Sequence, residues 1–145
     1  MSHDQECIFC WIIAGTAEAS VVAQDDHVIA IMDIAPLAPV HILVMPKRHV
    51  ETIDALPDDL AGPLMAMVSR VARAIRAGDA PEGISVWQAN GKAAGQEVFH
   101  VHFHVLCRTK GDGLSPCTPK HLTAPTREGL DRSAGTLYAA LVRIG

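Results

Sequence analysis

Apolar residues recur along this chain at two spacings, and each spacing marks its own kind of element. Leu60, Leu64, Met67, Val68, Val71 and Ile75 follow a helical period that Gly78 ends, which predicts one long central helix. Pro63 falls within it, so either the regular part starts there or the first turns are kinked. Ser20–Gln24 and His27–Met32 are short β-branched segments on either side of Asp25-Asp26, the pattern of a hairpin. His41–Met45, between Pro39 and Pro46, reads as a further strand, Ile84–Gln88 as another, and Phe99–Cys107 as a strictly alternating one. Cys7–Ala14 offers one or two helical turns before Gly15. Residues 90–96 form a loop containing Gly and Ala. A segment punctuated by Pro116, Pro119 and Pro125 leads to a last helix with Leu130, Leu137 and Leu141 on one face. Most strand connections are short, which favours antiparallel pairing. The long helix would cover one face of that sheet, an α+β arrangement.

At 145 residues the chain is expected to form one domain, 1–145, with a core of its own. Lys and Arg number 12 against 16 Asp and Glu, a net charge of −4, and the basic residues are scattered. This argues against an electrostatic grip on nucleic acid or on an acidic membrane surface. No apolar stretch is long enough to span a bilayer, and Met1–Glu6 lacks the basic start and apolar run of a signal peptide. A cytoplasmic location is expected, with the four cysteines reduced or metal-bound rather than paired.

The chemistry-bearing segment is His100-Val101-His102-Phe103-His104-Val105-Leu106. Side chains alternate along a strand, so the three histidines share one face and Val101, Phe103 and Val105 the other. The apolar face can pack on the helix and leave the histidines for a ligand, with neighbours roughly 7 Å apart. Imidazole is substantially neutral near pH 7 and therefore nucleophilic. Attack by the middle ring on phosphorus would give a covalent phospho-histidine and divide one difficult displacement into two. The residues by themselves leave two other readings open, a catalytic zinc held by alternating histidines and a purely structural strand.

The segment resembles the His-φ-His-φ-His-φ-φ signature (φ apolar) of the histidine-triad, or HIT, superfamily. The resemblance runs from Cys7 to Gly113. Cys7-Ile8-Phe9-Cys10-Trp11-Ile12-Ile13-Ala14-Gly15 is similar to the N-terminal segment of the Hint-like branch. Asp33-Ile34-Ala35-Pro36 and the run from Pro39 to His49 resemble its central strands, and Asn90-Gly91 through Phe99 the loop before the triad. Residues 114–145 carry no motif. The resemblance implies an antiparallel sheet of about five strands with the long central helix, a short N-terminal helix and a C-terminal helix.

It also implies roles. His102 matches the nucleophile, while His104 and His41 match residues that bind and neutralise the phosphoryl oxygens. Asp33 matches the acid that accepts hydrogen bonds from ribose hydroxyls; on its own it is equally a turn or cap residue. Ile8, Phe9, Ile12, Ile31 and Ile34 match the apolar walls around the base, and otherwise read as ordinary core. Asn90 and Gln96 would offer amide donors toward the phosphate, with Gly95 letting main-chain N–H groups approach. Many eukaryotic Hint-type proteins have Ser where this chain has Glu97, close to the leaving group, so an anionic side chain there bears on leaving-group preference.

Cys7-x-x-Cys10 can supply two zinc ligands if two more arrive from elsewhere; the alternative is a pair of small buried side chains. The resemblance supplies them: His49 and His100 would complete a Cys2His2 structural zinc site, one zinc per chain, and withdraw His100 from catalysis. Cys107 and Cys117 match no pattern, and His3, His27 and His121 read as surface residues. The implied activity is hydrolysis of purine nucleoside phosphoramidates or related adenylated compounds through a nucleotidyl-His102 intermediate, with an AMP-like product. Dinucleoside polyphosphate cleavage, and a nucleotide-binding or interaction module with vestigial catalysis, are the alternatives. The Hint-like branch also implies a homodimer with central helices packed together, and the Leu64–Ile75 stripe is compatible with that.

Overall fold

Both spacings produce the expected elements in the computed structural model, which describes residues 6–78, 80–116 and 120–145. His3, Cys117 and Pro119 lie outside the described residues. Five strands, β1 (Val21–Gln24), β2 (Val28–Met32), β3 (His41–Pro46), β4 (Gly83–Trp87) and β5 (Phe103–Arg108), form one antiparallel sheet in the order β1-β2-β3-β5-β4. Three α-helices accompany it: α1 (Ile8–Ile13), α2 (Asp58–Gly78) and α3 (Arg127–Ile144). The architecture is the expected α+β one.

Local chemistry accounts for the boundaries. Asp25 Oδ1 accepts from the His27 and Val28 N–H groups, both at 2.8 Å, and so turns β1 into β2. Asp58 and Asp59 stand in the first turn of α2 and Arg76 in its last, each opposing the helix dipole. The helix starts at Asp58 and runs through Pro63, so the proline does not delay it. Thr126 Oγ1 caps α3 by accepting from Gly129 N–H at 3.0 Å.

Strand alternation sorts the sheet into two faces. Val28, Ala30 and Met32, Ile42 and Val44, and Phe103 and Val105 point toward α2 and α3 and join Leu64, Val71, Ile75, Leu130 and Leu137 in the main core. Burying each such side chain is worth roughly 1.5–3 kcal/mol. Ile29, Ile31, Leu43 and Met45 point the other way and pack with Phe9 of α1. The apolar stripe of α2 is thus covered by the chain's own sheet. A partner helix would meet the opposite side, where Met65 is half exposed.

The strictly alternating strand expected over Phe99–Cys107 starts later than its pattern. β5 begins at Phe103, opposite Val44, rather than at Phe99, although β3 runs on to Pro46. Val101 N–H donates instead to Val50 O at 2.7 Å, and Val101 packs into a small cluster with Val50 and Leu60. His100 and His102 therefore precede the ladder, and only His104 lies within it.

Candidate active site

The odd-numbered positions of β2 and β3 and the even-numbered ones of β5 share the face under α1. His41, the first residue of β3, and His104, which is opposite Leu43 and Trp87 in the ladder, are both on that face. The ring centroids of His102 and His104 are 5.0 Å apart and those of His104 and His41 5.1 Å. Phe9 stands edge-on to His102 with centroids 5.1 Å apart, closing one side.

Hydrogen-bond partners fix the proton on each ring. A main-chain N–H can only donate, and Leu37 N–H meets His41 Nδ1 at 3.1 Å, so Nδ1 carries the lone pair. Neutral His41 then bears its hydrogen on Nε2 and donates to His104 Nδ1 at 2.9 Å. His104 in turn must carry its hydrogen on Nε2. A carbonyl can only accept: His102 Nδ1 lies 2.7 Å from His100 O, so Nδ1 is protonated and Nε2 is left with a lone pair. All three rings are held neutral chiefly by burial. His41 is lowered to about 4 by burial and by the charges of His121 and His102. His104 is lowered to about 3 by burial and by His102 and His41. Burial also lowers His102, against the opposing pull of His100 O, Asp33 and Glu97. Near pH 7 the arrangement is an unprotonated imidazole nitrogen beside an N–H donor, both with orientations set from behind.

Asp33 follows β2. Its Oδ1 accepts from Ala35 N–H at 2.8 Å, and its Oδ2 lies 3.4 Å from His41 Nε2. Asp33, His41 and His104 also bring three potential metal-binding atoms together. Leu37 rules against a metal there, since His41 Nε2 holds a hydrogen rather than a free lone pair. The group is a hydrogen-bonded chain.

The second donor cluster has the opposite logic. Cys7, Cys10, His49 and His100 bring one potential ligand atom each within 4.8 Å of one another. Cys7 Sγ and Cys10 Sγ lie 3.5 and 3.6 Å from His100 Nδ1, and Cys10 Sγ lies 3.3 Å from His49 Nδ1. Ligands at zinc–sulfur and zinc–nitrogen distances on a tetrahedron are separated by roughly 3.3–3.8 Å. His100 Nε2 donates to Pro46 O at 2.7 Å, which leaves Nδ1 as a lone pair facing the sulfurs, the usual backing of a ligating histidine. These residues fit a closed tetrahedral zinc site.

The loop between β4 and β5 uses its amides internally. Gln96 is buried; its Oε1 accepts from Gly91 N–H at 2.7 Å, and its Nε2 donates to Glu51 O and Val98 O at 2.7 and 3.1 Å. Asn90 Oδ1 accepts from Ile53 N–H and from Gln88 Nε2, both at 2.7 Å. Gln96 has spent both N–H groups on carbonyls and braces the loop. Gly95 takes a left-handed conformation, φ 92°, that a side chain would strain. Of the apolar wall residues, Phe9 and Ile31 are buried together, Ile12 is half-buried against them, and Ile8 and Ile34 are exposed. Glu97 is exposed, on the rim of a pocket that also holds Glu6, Glu51, Ile8 and Phe99, on the side of the cysteine–histidine cluster.

Sequence reasoning missed the Leu37 N–H, because a main-chain donor leaves no mark in composition. It also missed Trp87, whose ring is tilted against His104 with centroids 6.2 Å apart. His121 is exposed as expected, but it is docked on Ala35 O.

The chain belongs to the histidine-triad (HIT) family: residues 14–111 match the HIT domain. It is 42% identical over 138 residues to "Protein hit" of Bacillus subtilis, covering 94% of this chain and 95% of that one. It is 35% identical over 120 residues to the adenosine 5'-monophosphoramidase hnt1 of Schizosaccharomyces pombe, covering 82% and 87%. Among solved structures, a HIT-like protein from Bartonella henselae superposes with a TM-score of 0.87 at 33% identity, over 97% of this chain and 99% of that one. A zinc-bound histidine-triad protein from Mycobacterium smegmatis superposes with a TM-score of 0.82 at 34% identity, over 97% and 96%.

Proposed function

We propose that this chain hydrolyses purine nucleoside 5'-phosphoramidates or related adenylated compounds through a covalent nucleotidyl-His102 intermediate. The observation that carries the reading is the pairing of His102, pinned at Nδ1 by its own main chain, with His104, kept as an Nε2–H donor by His41. His102 Nε2 attacks phosphorus, forming an N–P bond as the bond to the leaving nitrogen or oxygen breaks. His104 Nε2–H steadies the phosphoryl oxygens, and His41 holds it in that role. The leaving group takes up a proton, for which the His41–His104 chain holds the available N–H groups. Water then attacks the same phosphorus and releases the nucleoside monophosphate, restoring His102.

The remaining residues divide the substrate among them. Asp33 accepts from the ribose hydroxyls, while Phe9 and Ile31, with Ile8, Ile12 and Ile34, wall the base. Gln96 and Asn90 hold the loop so that the Gly95 region presents main-chain donors to the phosphate. Cys7, Cys10, His49 and His100 hold one structural zinc in a reducing, cytoplasmic setting, tying α1 to the segments beside β3 and β5. The similarity to a phosphoramidase and to a zinc-bound protein supports these assignments. A homodimer packed through the outer side of α2 completes the reading, and sedimentation at 15.5 kDa would remove it.

The test is turnover of a fluorogenic adenosine phosphoramidate beside diadenosine polyphosphates. Efficient release from the phosphoramidate is expected. Preference for the polyphosphate, or binding of AMP without turnover of either, would overturn the assignment.

A further inference from the structure

Residues 120–125, in the part of the chain without a recognisable motif, return to the sheet beside Asp33. Leu122 N–H donates to Pro36 O at 2.9 Å, and His121 Nδ1–H donates to Ala35 O at 2.7 Å. Both acceptors belong to the loop that Asp33 itself folds by accepting from Ala35 N–H. Ala35 is therefore held at both ends, its N–H by Asp33 and its carbonyl by His121. Because Oδ1 is committed to Ala35, the position of Ala35 decides where Oδ2 points. A cavity of about 180 Å³ lies against this loop, walled by Asp33 and His41 on one side and by Leu122, Thr123 and Pro125 on the other.

A carboxylate has about four acceptor positions. Ala35 N–H takes one on Oδ1, and the His41 hydrogen goes to His104 with Nε2 3.4 Å from Oδ2, so Oδ2 keeps two positions, the number of hydroxyls on a ribose. An acceptor on a loop would otherwise have to be ordered at the moment of binding, at a cost in affinity. We propose that His121 is a positioning residue for the ribose: it latches the Asp33–Pro36 loop so that Asp33 meets both hydroxyls ready-oriented, and the chain thereby selects ribonucleotides over deoxyribonucleotides. The inference rests on the reading that Asp33 accepts the ribose hydroxyls.

The experiment compares kcat/KM for adenosine 5'-phosphoramidate and its 2'-deoxy analogue in the wild type, Asp33→Asn, His121→Ala and His121→Asn. The wild type favours the ribonucleotide by roughly ten- to hundredfold, the factor carried by one hydrogen bond to a charged group. Asp33→Asn brings the ratio toward unity. His121→Ala lowers it by about three- to tenfold, the cost of ordering one side chain on binding. That loss appears in KM, larger for the ribonucleotide than for the deoxy substrate, which keeps only the 3'-hydroxyl, and His121→Asn, which keeps a donor, restores the ratio. An unchanged ratio in Asp33→Asn would sink the ribose reading and the latch with it. A ratio that falls in Asp33→Asn but stays at the wild-type value in His121→Ala would sink the latch alone. Equal losses for both substrates in His121→Ala would make the contact structural and overturn the proposal.

Discussion

His41→Asn should make the protein less sensitive to acid, and the size of the effect follows from the structure. His41 is 2% exposed, and it is faced by Asp33 just after β2, by His102 just before β5, by His104 from β5, and by His121 from the C-terminal segment. Burial and the neighbouring histidines lower its pKa from 6.5 to about 4. The unfolded chain therefore binds a proton at this site between pH 6.5 and 4 that the folded chain refuses. Stability contributed by neutral His41 is complete above pH 6.5 and is lost as pH falls toward 4. The full window is worth about 3 kcal/mol, and the part between pH 7.5 and 5 about 2 kcal/mol. Asn Oδ1 can still accept from Leu37 N–H, so the variant removes the titration while keeping that bond. Urea unfolding of both proteins at pH 7.5 and 5 measures the difference. Acid effects on the cysteine–histidine cluster are common to both and cancel. The wild type should lose about 2 kcal/mol more than the variant over this interval. Equal losses would show that His41 is not held neutral, and the proton assignments built on it would fall.

Metal analysis of protein purified without chelator should find one zinc per chain, and Cys10→Ser should release it and lower Tm, because metal binding free energy contributes to folding. Protein free of zinc would contradict the site. Gln96→Met keeps the volume but leaves Gly91 N–H, Glu51 O and Val98 O without their partner. A loss of about 2–4 kcal/mol in urea unfolding is expected, and a loss below about 1 kcal/mol would mean that water replaces the amide. Glu97→Ser should raise kcat/KM for diadenosine polyphosphates by about two- to threefold in low salt and leave neutral-amine phosphoramidates unchanged, as removal of an exposed charge would. An equal change for both substrates would exclude Glu97 from leaving-group selection.

Elements were legible wherever a period ran long enough to be unambiguous. The alternation from His100 to Leu106 and the α2 stripe each buried the apolar side chains their spacing indicated, because burial is what the spacing encodes. The strand start at Phe103 was not legible, since the residues before it bond outside the ladder, Val101 N–H to Val50 O and His100 Nε2 to Pro46 O. In the site, the histidines could be read from sequence but their division of labour could not. It is set by main-chain groups: His100 O behind His102, Leu37 N–H behind His41 and Pro46 O behind His100. Asn90 and Gln96 show the converse. Their amides suggested phosphate donors, and only the fold reveals that the N–H groups of Gln96 are already spent. His121 lay beyond any pattern, because its partner, the carbonyl of Ala35, is eighty-six positions away in the chain.

The covalent step at His102 is open to direct observation. Wild-type protein mixed with an adenosine phosphoramidate, quenched within the first turnovers and kept above neutral pH, should carry one nucleotidyl group, and peptide mass analysis should place it on His102. His102→Ala should bind AMP yet lose more than about a thousandfold in kcat/KM, equivalent to at least ~4 kcal/mol of transition-state stabilisation. No adduct on any histidine under burst conditions, or turnover by His102→Ala within about tenfold of wild type, would contradict a nucleophilic His102.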